Sequence, residues 1–264
     1  MTGGRSLLAS IAALSARAGT LIMQHYEART PGRDKADKSP VTDADEEAET
    51  LILEGLARLM PGVPVVSEEA AAAGAIPAVG DSFLLVDPLD GTKEFLARNG
   101  EFTVNVALIE RGRPVLGVVY APAMARLFGG DAAGALELHW PSAEEPGEAI
   151  DLSGATPIAA RPAGAHKIAL WSRSHDTHRA AEYRDLYDID AVRTLGSSLK
   201  FCLIAAAEAD LYPRHGTTME WDTAAGQAVL EAAGGSVREL SGKPLLYGKT
   251  QDGFRNPSFV ARGR

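Results

Sequence analysis

Several acidic residues of this chain stand beside turn residues, at the ends of predicted strands and helices. The stretch "LLVDPLDGTKEFL", residues 84–96, places Asp87 and Asp90 three residues apart, between an apolar run and Gly91. Two carboxylates this close repel each other, and only a cation or a proton offsets the repulsion. The spacing therefore predicts either a bound cation or a shared proton, unless the stretch is an ordinary turn.

Other acids stand at comparable positions, after a strand or in the first turn of a helix. They are Asp45, Glu68, Glu69 and Asp222. Hard divalent cations bind oxygen ligands, and the motif has no histidine or cysteine that would favour zinc. We therefore expect a site for Mg²⁺ or Mn²⁺. The predicted ligands are Glu68, Asp87, Asp90, Asp222 and the carbonyl oxygen of Leu89.

Ordinary structural roles explain the same residues. Asp-Pro and Asp-Gly pairs form turns, and Asp222 would serve as an N-cap. On spacing alone, the metal site and the plain turn are equally good interpretations. Gly91 would let the backbone approach an anion closely. The free amide groups at the start of the predicted helix "EFLAR" would suit a phosphate.

The composition narrows the class of function. The chain has 264 residues, 45% of them hydrophobic, which suits one large domain or two closely joined ones. Its formal net charge of -9 argues against a general nucleic-acid or membrane-surface binder. No stretch is expected to have the roughly 20 apolar residues of a membrane span. A small anionic substrate remains compatible, because metals and local cations outweigh the global field.

The single cysteine, Cys202, lies in the apolar run "KFCLIAAA". A disulfide within the chain is impossible, so a reducing cytoplasm is the expected location. The run favours a small buried hydrophobe over a nucleophile. No signal peptide is expected, because Arg17 interrupts the apolar N-terminal segment, which continues into an amphipathic pattern.

Hydrophobic periodicity predicts two helices followed by strands in the first half. The helices are residues 6–26 and "VTDADEEAETLILEGLARLMPG", which begins with a Thr/Asp cap signal. Short strands are predicted in "VPVVSEE" and in "SFLLV", the latter ended by Asp87-Pro88. Two hairpins follow, in "EFTVNVALIERGRPVLGVVYAP" and "ARLFGGDAAGALEL". The alanine-rich segment Ala70 to Asp81 is predicted to be a mobile loop at the site.

Helices and strands alternate after the weakly patterned stretch "HWPSAEEPGEAIDLSGATP". The predicted helices include "SSLKFCLIAAAEAD" and "WDTAAGQAVLEAAGG", the latter opened by Asp222. We predict an N-terminal half, residues 1–160, with the helix pair, an antiparallel sheet and most metal ligands. The C-terminal α/β half would be residues 161–264, with Asp222 and the substrate-binding residues. This mixture is typical of an α/β or α+β fold built as a layered sandwich.

Three blocks together resemble the signatures of the inositol monophosphatase superfamily of lithium-sensitive, Mg²⁺-dependent phosphatases. They are "VSEEA", "DPLDGTKEF" and "WDTAAGQAVLEAAGG", and "VTDAD" matches the N-terminal helix signature of that superfamily. The blocks occur in the same order as in the superfamily and span most of the chain, from Val41 to Gly235. The resemblance implies an αβαβα sandwich.

Within the superfamily, the chain resembles the bacterial 3'(2'),5'-bisphosphate nucleotidases of the CysQ type. The resemblance rests on "DPLDGTKEFLARNGEFTVNVALIERGRPVLGVVYAP", "SRSH" and "LGSSLKFCLIAAAEADLYPR". Inositol monophosphatases typically have a neutral pair where this chain has Lys93-Glu94, and they lack the lysine found here as Lys200. The chain also departs from its relatives at Glu220, where an apolar residue is usual; an extra acid beside Asp222 would alter metal affinity.

The resemblance implies a role for each matching residue. Glu68, Asp87 and the Leu89 carbonyl would hold one Mg²⁺, and Asp87, Asp90 and Asp222 a second, with a third, weaker ion near Glu68. Mn²⁺ would substitute. The implied catalytic residues are Asp45, Thr92 and Glu68, of which Thr92 and Asp45 would orient and deprotonate the attacking water. The implied substrate contacts are Glu68, Leu89, Asp90, Gly91, Thr92, His175, Ser197, Lys200, Arg214 and Asp222.

The resulting hypothesis is hydrolysis of adenosine 3',5'-bisphosphate to AMP and phosphate. A second phosphate needs partners away from the metals, and Lys200 and Arg214 are the best candidates; the alternative is that both are solvated surface charges. Trp171 and Tyr212 would either stack on adenine or pack in the core. His175 and His178 have a capping role as the alternative to substrate contact, and zinc is disfavoured there.

Rival functions remain at this point. Inositol monophosphatase and sugar-phosphate phosphatase activities use the same metal core, and a non-catalytic metal or nucleotide sensor would have lost a ligand or the Thr92–Asp45 pair, which this chain keeps. The partner is expected to be a small nucleotide bisphosphate and not a nucleic-acid polymer. The chain would be a monomer or a homodimer. By resemblance it would be cytoplasmic, with peripheral attachment to the inner membrane as an alternative.

Overall fold

The computed structural model describes residues 2–35, 39–162, 164, 166–173 and 180–264. Seven α-helices occur in this part of the chain: α1 Thr2–Ala28, α2 Asp43–Leu59, α3 Glu68–Ala72, α4 Thr92–Leu96, α5 Ala180–Tyr187, α6 Leu199–Ala205 and α7 Ala224–Ala232. The strands before residue 160 are β1 Arg33–Asp34, β2 Pro40–Val41, β3 Val65–Ser67, β4 Ser82–Asp90, β5 Thr103–Glu110, β6 Arg113–Ala121, β7 Arg126–Asp131, β8 Gly134–His139 and β9 Thr156–Ile158. The later strands are β10 Ile168–Ser172, β11 Ala191–Leu195, β12 Leu211–Arg214, β13 Thr218–Met219, β14 Ser236–Glu239, β15 Arg255–Asn256 and β16 Phe259–Arg262.

Two larger sheets and two short ribbons organise these strands. The seven-stranded sheet has the order β3-β4-β5-β6-β7-β8-β9 and is antiparallel except for the β3–β4 pair. The five-stranded sheet has the order β11-β10-β12-β16-β14, in which β11, β10 and β12 are parallel. The hairpin between β5 and β6 turns through Arg111 and Gly112, which both have positive φ, as a two-residue turn that follows the strand twist requires.

The two large sheets and the helices form five layers. Helices α1 and α2 pack on one face of the seven-stranded sheet, and their apolar side chains share one core with that face. Helices α6 and α7 lie between the two sheets in a second core. Tyr183 of α5 packs on the outer face of the five-stranded sheet, against Trp171 and Leu211. The chain thus folds as the αβαβα sandwich that the sequence predicted; the division at residue 160 stays a prediction.

Strand β4 places one side-chain row in each core, as a strand buried on both faces must. Leu84 and Val86 belong to the core under α1 and α2, whereas Phe83 and Leu85 face the central helices. The next residue on the Phe83 face is Asp87. The alternation therefore directs Asp87 into the space between the sheets.

Three local predictions were wrong. Strand β4 does not end at Asp87-Pro88 but continues to Asp90 with an irregular register. The segment predicted as a loop from Ala70 begins inside helix α3, because the amides of Glu69 and Ala70 are held by the Glu49 carboxylate of α2, at 3.1 and 3.2 Å. Asp222 does not open α7, whose N-cap is Thr223.

Helix α1 corrects the prediction that no segment is long enough to span a membrane. Residues Arg5–Ala28 have a mean hydropathy of 1.5 and pass that test by length and composition. However, 61% of the 18-residue apolar segment on which this test rests is buried inside the protein, and Leu8, Ile11 and Ile22 are fully buried. Packing in the core therefore accounts for its apolar composition.

Candidate active site

A cleft of about 520 Å³ opens where the ends of β4, α3 and the turn before α7 meet. Glu68, Asp87 and Asp222 line it, and one carboxylate oxygen of each lies within 4.8 Å of the other two. Three acids from distant parts of the sequence therefore converge, as the sequence predicted. Asp90, Leu89, Gly91 and Thr92 also line this cleft.

A β-bulge explains why Asp87 and Asp90 serve the same cleft although they are three residues apart. Asp87 pairs with Asn105 of β5, and Asp90 pairs with Thr103. Three steps along β4 thus oppose two steps along β5, which is the mark of one extra residue. Asn105 and Thr103 are two apart and point to the same side, so the bulge turns both aspartates to that side as well.

The cleft is strongly electronegative. Burial, followed by the charges of Glu68, Asp90 and Asp222, raises the pKa of Asp87 well above its ordinary value. Burial and the charges of Asp90 and Glu68 do the same to the pKa of Asp222. Burial also raises the pKa of Asp90 to about 6, against the opposing effects of Lys200 and of the Ser198 amide. Such crowding favours binding of a cation.

The donor set fits a hard divalent cation. The converging atoms are all carboxylate oxygens, which Mg²⁺ and Mn²⁺ prefer. Leu89, whose carbonyl was predicted as a neutral ligand, is 2% exposed and lines the cleft. Its amide donates to Asp87 Oδ1 at 3.1 Å, and this contact fixes the bulge beside the carboxylate.

Lys35, which the sequence analysis did not single out, offsets part of this charge. Its Nζ lies 2.8 Å from Glu68 Oε1 and 2.7 Å from Glu69 Oε1. Burial acts to lower the pKa of Lys35, but the two carboxylates outweigh it and raise the pKa. Burial in turn raises the pKa of Glu69 to about 7. Lys35 precedes β2 in a polar loop, so no local pattern marked it.

Asp45 and Thr92, the pair that the resemblance implied would act on the attacking water, are in direct contact. Thr92 Oγ1 donates to Asp45 Oδ1 at 3.0 Å. The other oxygen, Oδ2, accepts from the Thr42 amide at 2.7 Å and from its hydroxyl at 2.6 Å, which closes a capping box at the start of α2. Burial raises the pKa of Asp45, so its carboxylate accepts a proton more readily than an exposed one.

Gly91 adopts a conformation that favours glycine. Its φ is +98°, and a Cβ at this position would lie 3.2 Å from the Glu101 carbonyl oxygen. The residue caps α4 and brings the backbone to the edge of the cleft. The positive φ and the close Glu101 carbonyl explain why glycine stands here; the contact of its backbone with an anion stays a prediction.

Lys200 and Arg214 are buried in the same cleft and are not solvated surface charges. Lys200 Nζ donates to the carbonyl oxygens of Ser197 and Leu195, at 2.5 and 3.3 Å, and burial lowers its pKa to about 8. Arg214 Nη2 donates to the Thr217 carbonyl at 2.9 Å. Arg214 Nε is buried without a partner among the described residues. Ser197 lines the cleft beside Lys200.

Other candidates have different positions. Trp171 and Tyr212 are each 4% exposed and pack in the cores; Tyr212 also lines the cleft, whereas Trp171 does not. The carboxylate of Glu220 is held by other groups: it accepts from the Gly248 and Lys249 amides and pairs with Lys249 Nζ at 2.7 Å. The expectation that Glu220 alters metal affinity is therefore not supported by its contacts.

The remaining residues that the sequence analysis discussed are Cys202, the Lys93-Glu94 pair and two histidines. Cys202 is fully buried, and burial raises its pKa, which suits an unreactive thiol. Glu94, from the Lys93-Glu94 pair, is buried against Gly196: a Cβ on this glycine would lie 2.5 Å from Glu94 Cγ. Lys93 lines the cleft. His175 and His178 lie outside the described residues.

A family profile described as "Inositol monophosphatase family" matches residues 5–258. The chain belongs to the inositol monophosphatase family. Members of this family depend on metal, typically Mg²⁺, in keeping with the acidic cleft. The chain is also 44% identical to a protein of Escherichia coli (strain K12) named "3'(2'),5'-bisphosphate nucleotidase CysQ", over 96% of this chain and 98% of that one.

Solved structures of the family give the same result. The crystal structure of CysQ from Bacteroides thetaiotaomicron has a TM-score of 0.80 and 37% identity, and covers 99% of this chain and 98% of that one. A Thermotoga maritima inositol monophosphatase has a TM-score of 0.74 at 23% identity, with 95% and 89% coverage, and supports the fold alone. At the level of family, the resemblance in the sequence is confirmed.

Proposed function

We propose that this member of the inositol monophosphatase family is a Mg²⁺-dependent phosphomonoesterase that hydrolyses adenosine 3',5'-bisphosphate to AMP and phosphate. The observation that carries the proposal is the presence of two features in one cleft: a cluster of acidic oxygens suited to a divalent cation, and two buried cations, Lys200 and Arg214. The name of the Escherichia coli relative supports the same substrate.

The metal ligands would be Glu68, Asp87, Asp90, Asp222 and the Leu89 carbonyl, around two or three Mg²⁺. When bound, Mg²⁺ makes water a better nucleophile and stabilises the charge of the leaving oxygen. The chain itself would orient the water through Thr92. Because the Thr92 hydroxyl donates to Asp45, its lone pairs are available to accept a hydrogen bond from the water.

Asp45 would receive the proton released in this step. The oxygen of the water would bond to phosphorus as the bond between phosphorus and the 3' oxygen breaks. The proton of the water would pass to Thr92 while that of Thr92 passes to Asp45, and the 3' oxygen would leave as an alkoxide that takes a proton from solvent water. Thr42 holds Asp45 Oδ2 with two hydrogen bonds, so Oδ1 stays aimed at Thr92. The amides of Gly91 and Thr92 would hold the phosphate being cleaved.

The second phosphate would bind at Lys200, Arg214 and Ser197. Burying a polar group without a hydrogen-bond partner is unfavourable, and Arg214 Nε is buried without one among the described residues. A phosphate would supply charge-assisted hydrogen bonds there. Inositol 1-phosphate has no second phosphate, so this arrangement favours the nucleotide over the inositol ester.

A phosphate-release assay with wild-type protein and its Lys200→Met variant tests the proposal. The substrates are adenosine 3',5'-bisphosphate, its 2',5' isomer, the 3'-phosphate 5'-phosphosulfate form, 3'-AMP, inositol 1-phosphate and fructose 1,6-bisphosphate, each with Mg²⁺ and with EDTA. We expect the 3',5'-bisphosphate to react fastest and only with Mg²⁺. Lys200→Met should lower kcat/KM for it about 10- to 100-fold and change 3'-AMP hydrolysis little.

Faster release from inositol 1-phosphate or fructose 1,6-bisphosphate would contradict the proposal in favour of the sister activities of the family. Equal losses for the bisphosphate and 3'-AMP in Lys200→Met would contradict the second-phosphate site alone. Lithium sensitivity, substitution by Mn²⁺, a cytoplasmic location, and a monomeric or homodimeric state stay predictions of the family resemblance.

A further inference from the structure

Ser198, which precedes α6, is buried against the seven-stranded sheet. Its amide donates to Asp90 Oδ2 at 2.5 Å. Its hydroxyl oxygen lies 2.7 Å from Asn105 Oδ1 and 2.9 Å from Thr103 Oγ1. Ser198 is 2% exposed, and the two β5 residues are at most 1% exposed. One residue of the later part of the chain thus contacts a predicted metal ligand and the strand beside it.

The chemistry of the partners fixes the direction of these hydrogen bonds. Asn105 Oδ1 only accepts, so the Ser198 hydroxyl donates to it. The hydroxyl has one hydrogen, and the Thr103 hydroxyl must therefore donate to Ser198. With Oδ1 of Asn105 turned to Ser198, its Nδ2 group faces Asp90 Oδ2, at 3.3 Å. The result is a ring of hydrogen bonds through Ser198, Asn105 and Asp90.

This ring holds one oxygen of Asp90 and leaves the other to the cleft. Asp90 Oδ2 accepts from two donors, the Ser198 amide and the Asn105 amide group. Both of these hydrogen bonds within the described residues are made to Oδ2, so Oδ1 is available for a cation. A ligand held from behind in this way loses less rotational freedom when it binds a metal. The Ser198 hydroxyl acts one step further out, because it orients Asn105.

Ser198 also stands in the turn that carries the predicted second-phosphate site. Ser197 precedes it with a positive φ of 52°, an uncommon conformation for a residue with a side chain. Lys200, two residues later, donates to the Ser197 carbonyl. The bonds of Ser198 to the sheet therefore fix this turn relative to Asp90.

We propose that Ser198 is a positioning residue: its hydroxyl orients Asn105, and through it Asp90, and aligns this metal ligand with the turn that carries Ser197 and Lys200. The proposal rests on the proposed metal-dependent function. It assigns no contact between Ser198 and the substrate, and its effect is exerted through Asp90 and the turn.

The test is a titration of Mn²⁺ into protein that has been treated with EDTA and desalted. Electron paramagnetic resonance of the free ion measures the affinity. Ser198→Ala keeps the hydrogen bond from the backbone amide to Asp90 and removes the hydroxyl. We expect Mn²⁺ to bind about five-fold more weakly, the effect of about one neutral hydrogen bond. Ser15→Ala is the matched control, because Ser15 is a fully buried serine of α1 whose Oγ has no partner in the described structure. It should leave Mn²⁺ affinity unchanged.

Asn105→Ala provides a second, independent variant. It should weaken Mn²⁺ binding by a similar factor, and the double variant Ser198→Ala/Asn105→Ala should bind Mn²⁺ no more weakly than Asn105→Ala alone, because both act through one path. Thermal unfolding in EDTA identifies a variant that fails to fold. If Ser198→Ala does not fold, the Asn105→Ala variant decides: unchanged Mn²⁺ affinity in this variant overturns the proposal.

The outcomes separate this proposal from the proposed function. Unchanged Mn²⁺ affinity in a folded Ser198→Ala variant, or additive losses in the double variant, would overturn the positioning role. Weaker Mn²⁺ binding supports the role even if the wild-type protein releases no phosphate from adenosine 3',5'-bisphosphate, a result that would contradict the function alone. Comparable weakening by Ser15→Ala would also overturn it, because any buried serine would then suffice.

Discussion

Asp45 serves the fold with one carboxylate oxygen and the site with the other. Oδ2 accepts both hydrogen bonds of Thr42 and caps α2, whereas Oδ1 accepts from Thr92 in the cleft. The cap prevents rotation of the carboxylate away from Thr92. Burial raises its pKa, which suits a group that receives a proton during the reaction.

Asp45→Asn tests this role. The amide keeps the shape of the side chain, but it cannot accept the proton from Thr92, so kcat should fall about 100-fold or more with little change in KM. Phosphate release from adenosine 3',5'-bisphosphate in saturating Mg²⁺ measures both. Asp43→Asn, in the same helical turn but exposed and paired with Arg33, is the matched control and should keep wild-type kinetics. A kcat near wild type in Asp45→Asn would contradict the role.

The residues that the sequence predicted share a local signal, and those it missed do not. Asp87, Asp90 and Thr92 stand in one short motif, so their type and spacing mark them. Lys35 and Ser198 act through contacts with residues 33 and 108 positions away. Asn105 is read as one more residue of an alternating strand. No pattern within a single element reveals a partner on another layer.

At the scale of elements, the loop between α1 and α2 is part of the site. Lys35 stands between the short strands β1 and β2, and its ammonium group bridges Glu68 and Glu69 at the start of α3. Side-chain exposure of Lys35 is 10%. The lysine therefore neutralises a carboxylate that a divalent cation would also need, and the two cations compete for Glu68.

Lys35→Met should therefore strengthen binding of Mg²⁺ to the metal-free protein, about five-fold if the ion pair contributes about 1 kcal/mol. The same change should lower the unfolding temperature in EDTA, because Glu68 and Glu69 lose their counter-charge. Calorimetric titration and thermal unfolding measure the two effects. Arg33→Met removes an exposed cation of the same loop that pairs with Asp43 and Glu46 and should change neither. Weaker Mg²⁺ binding in Lys35→Met would show that the lysine assists the metal.

The elements themselves were largely predictable, and their irregularities were not. Hydrophobic periodicity predicted both N-terminal helices and the two hairpins, because each of these elements buries one or both faces and its apolar residues repeat accordingly. The β4 bulge was predicted as a turn, since Pro88 and Gly91 are turn residues in any context. Pairing with β5 keeps the strand going to Asp90, and this tertiary contact outweighs the local signal.

At the scale of the whole molecule, the five layers bring the acids together. Asp87 comes from a strand of the larger sheet, Glu68 from α3 and Asp222 from the turn before a central helix. A chain with a net charge of -9 thereby concentrates negative charge in one buried cleft. Without a cation this arrangement costs stability, so the fold should depend on pH and on metal together.

The unfolding temperature in EDTA should fall as the pH rises from about 5 to about 7.5. Asp90 has a pKa of about 6 in the folded protein against an ordinary value of 3.8, and those of Asp87 and Asp222 are raised well above it. At a pH between the unfolded-state and folded-state pKa of such a group, the folded protein keeps a proton that the unfolded chain has lost. The free energy of unfolding therefore decreases as the pH rises. Lys200, with its pKa lowered to about 8, titrates above this range.

Excess Mg²⁺ should remove the dependence of the unfolding temperature on pH. A bound cation stabilises the ionised carboxylates, so they no longer take up protons over this pH range. Thermal unfolding followed by circular dichroism, with EDTA and with Mg²⁺ at each pH, measures both curves. The carboxylates with lowered pKa values, Asp151, Asp190 and Asp210, lose their stabilising charge only at more acidic pH and leave the trend intact. An unfolding temperature in EDTA that is constant or rises over this range would show that the acids are not crowded in the metal-free protein, and the cleft would then have no need of a cation.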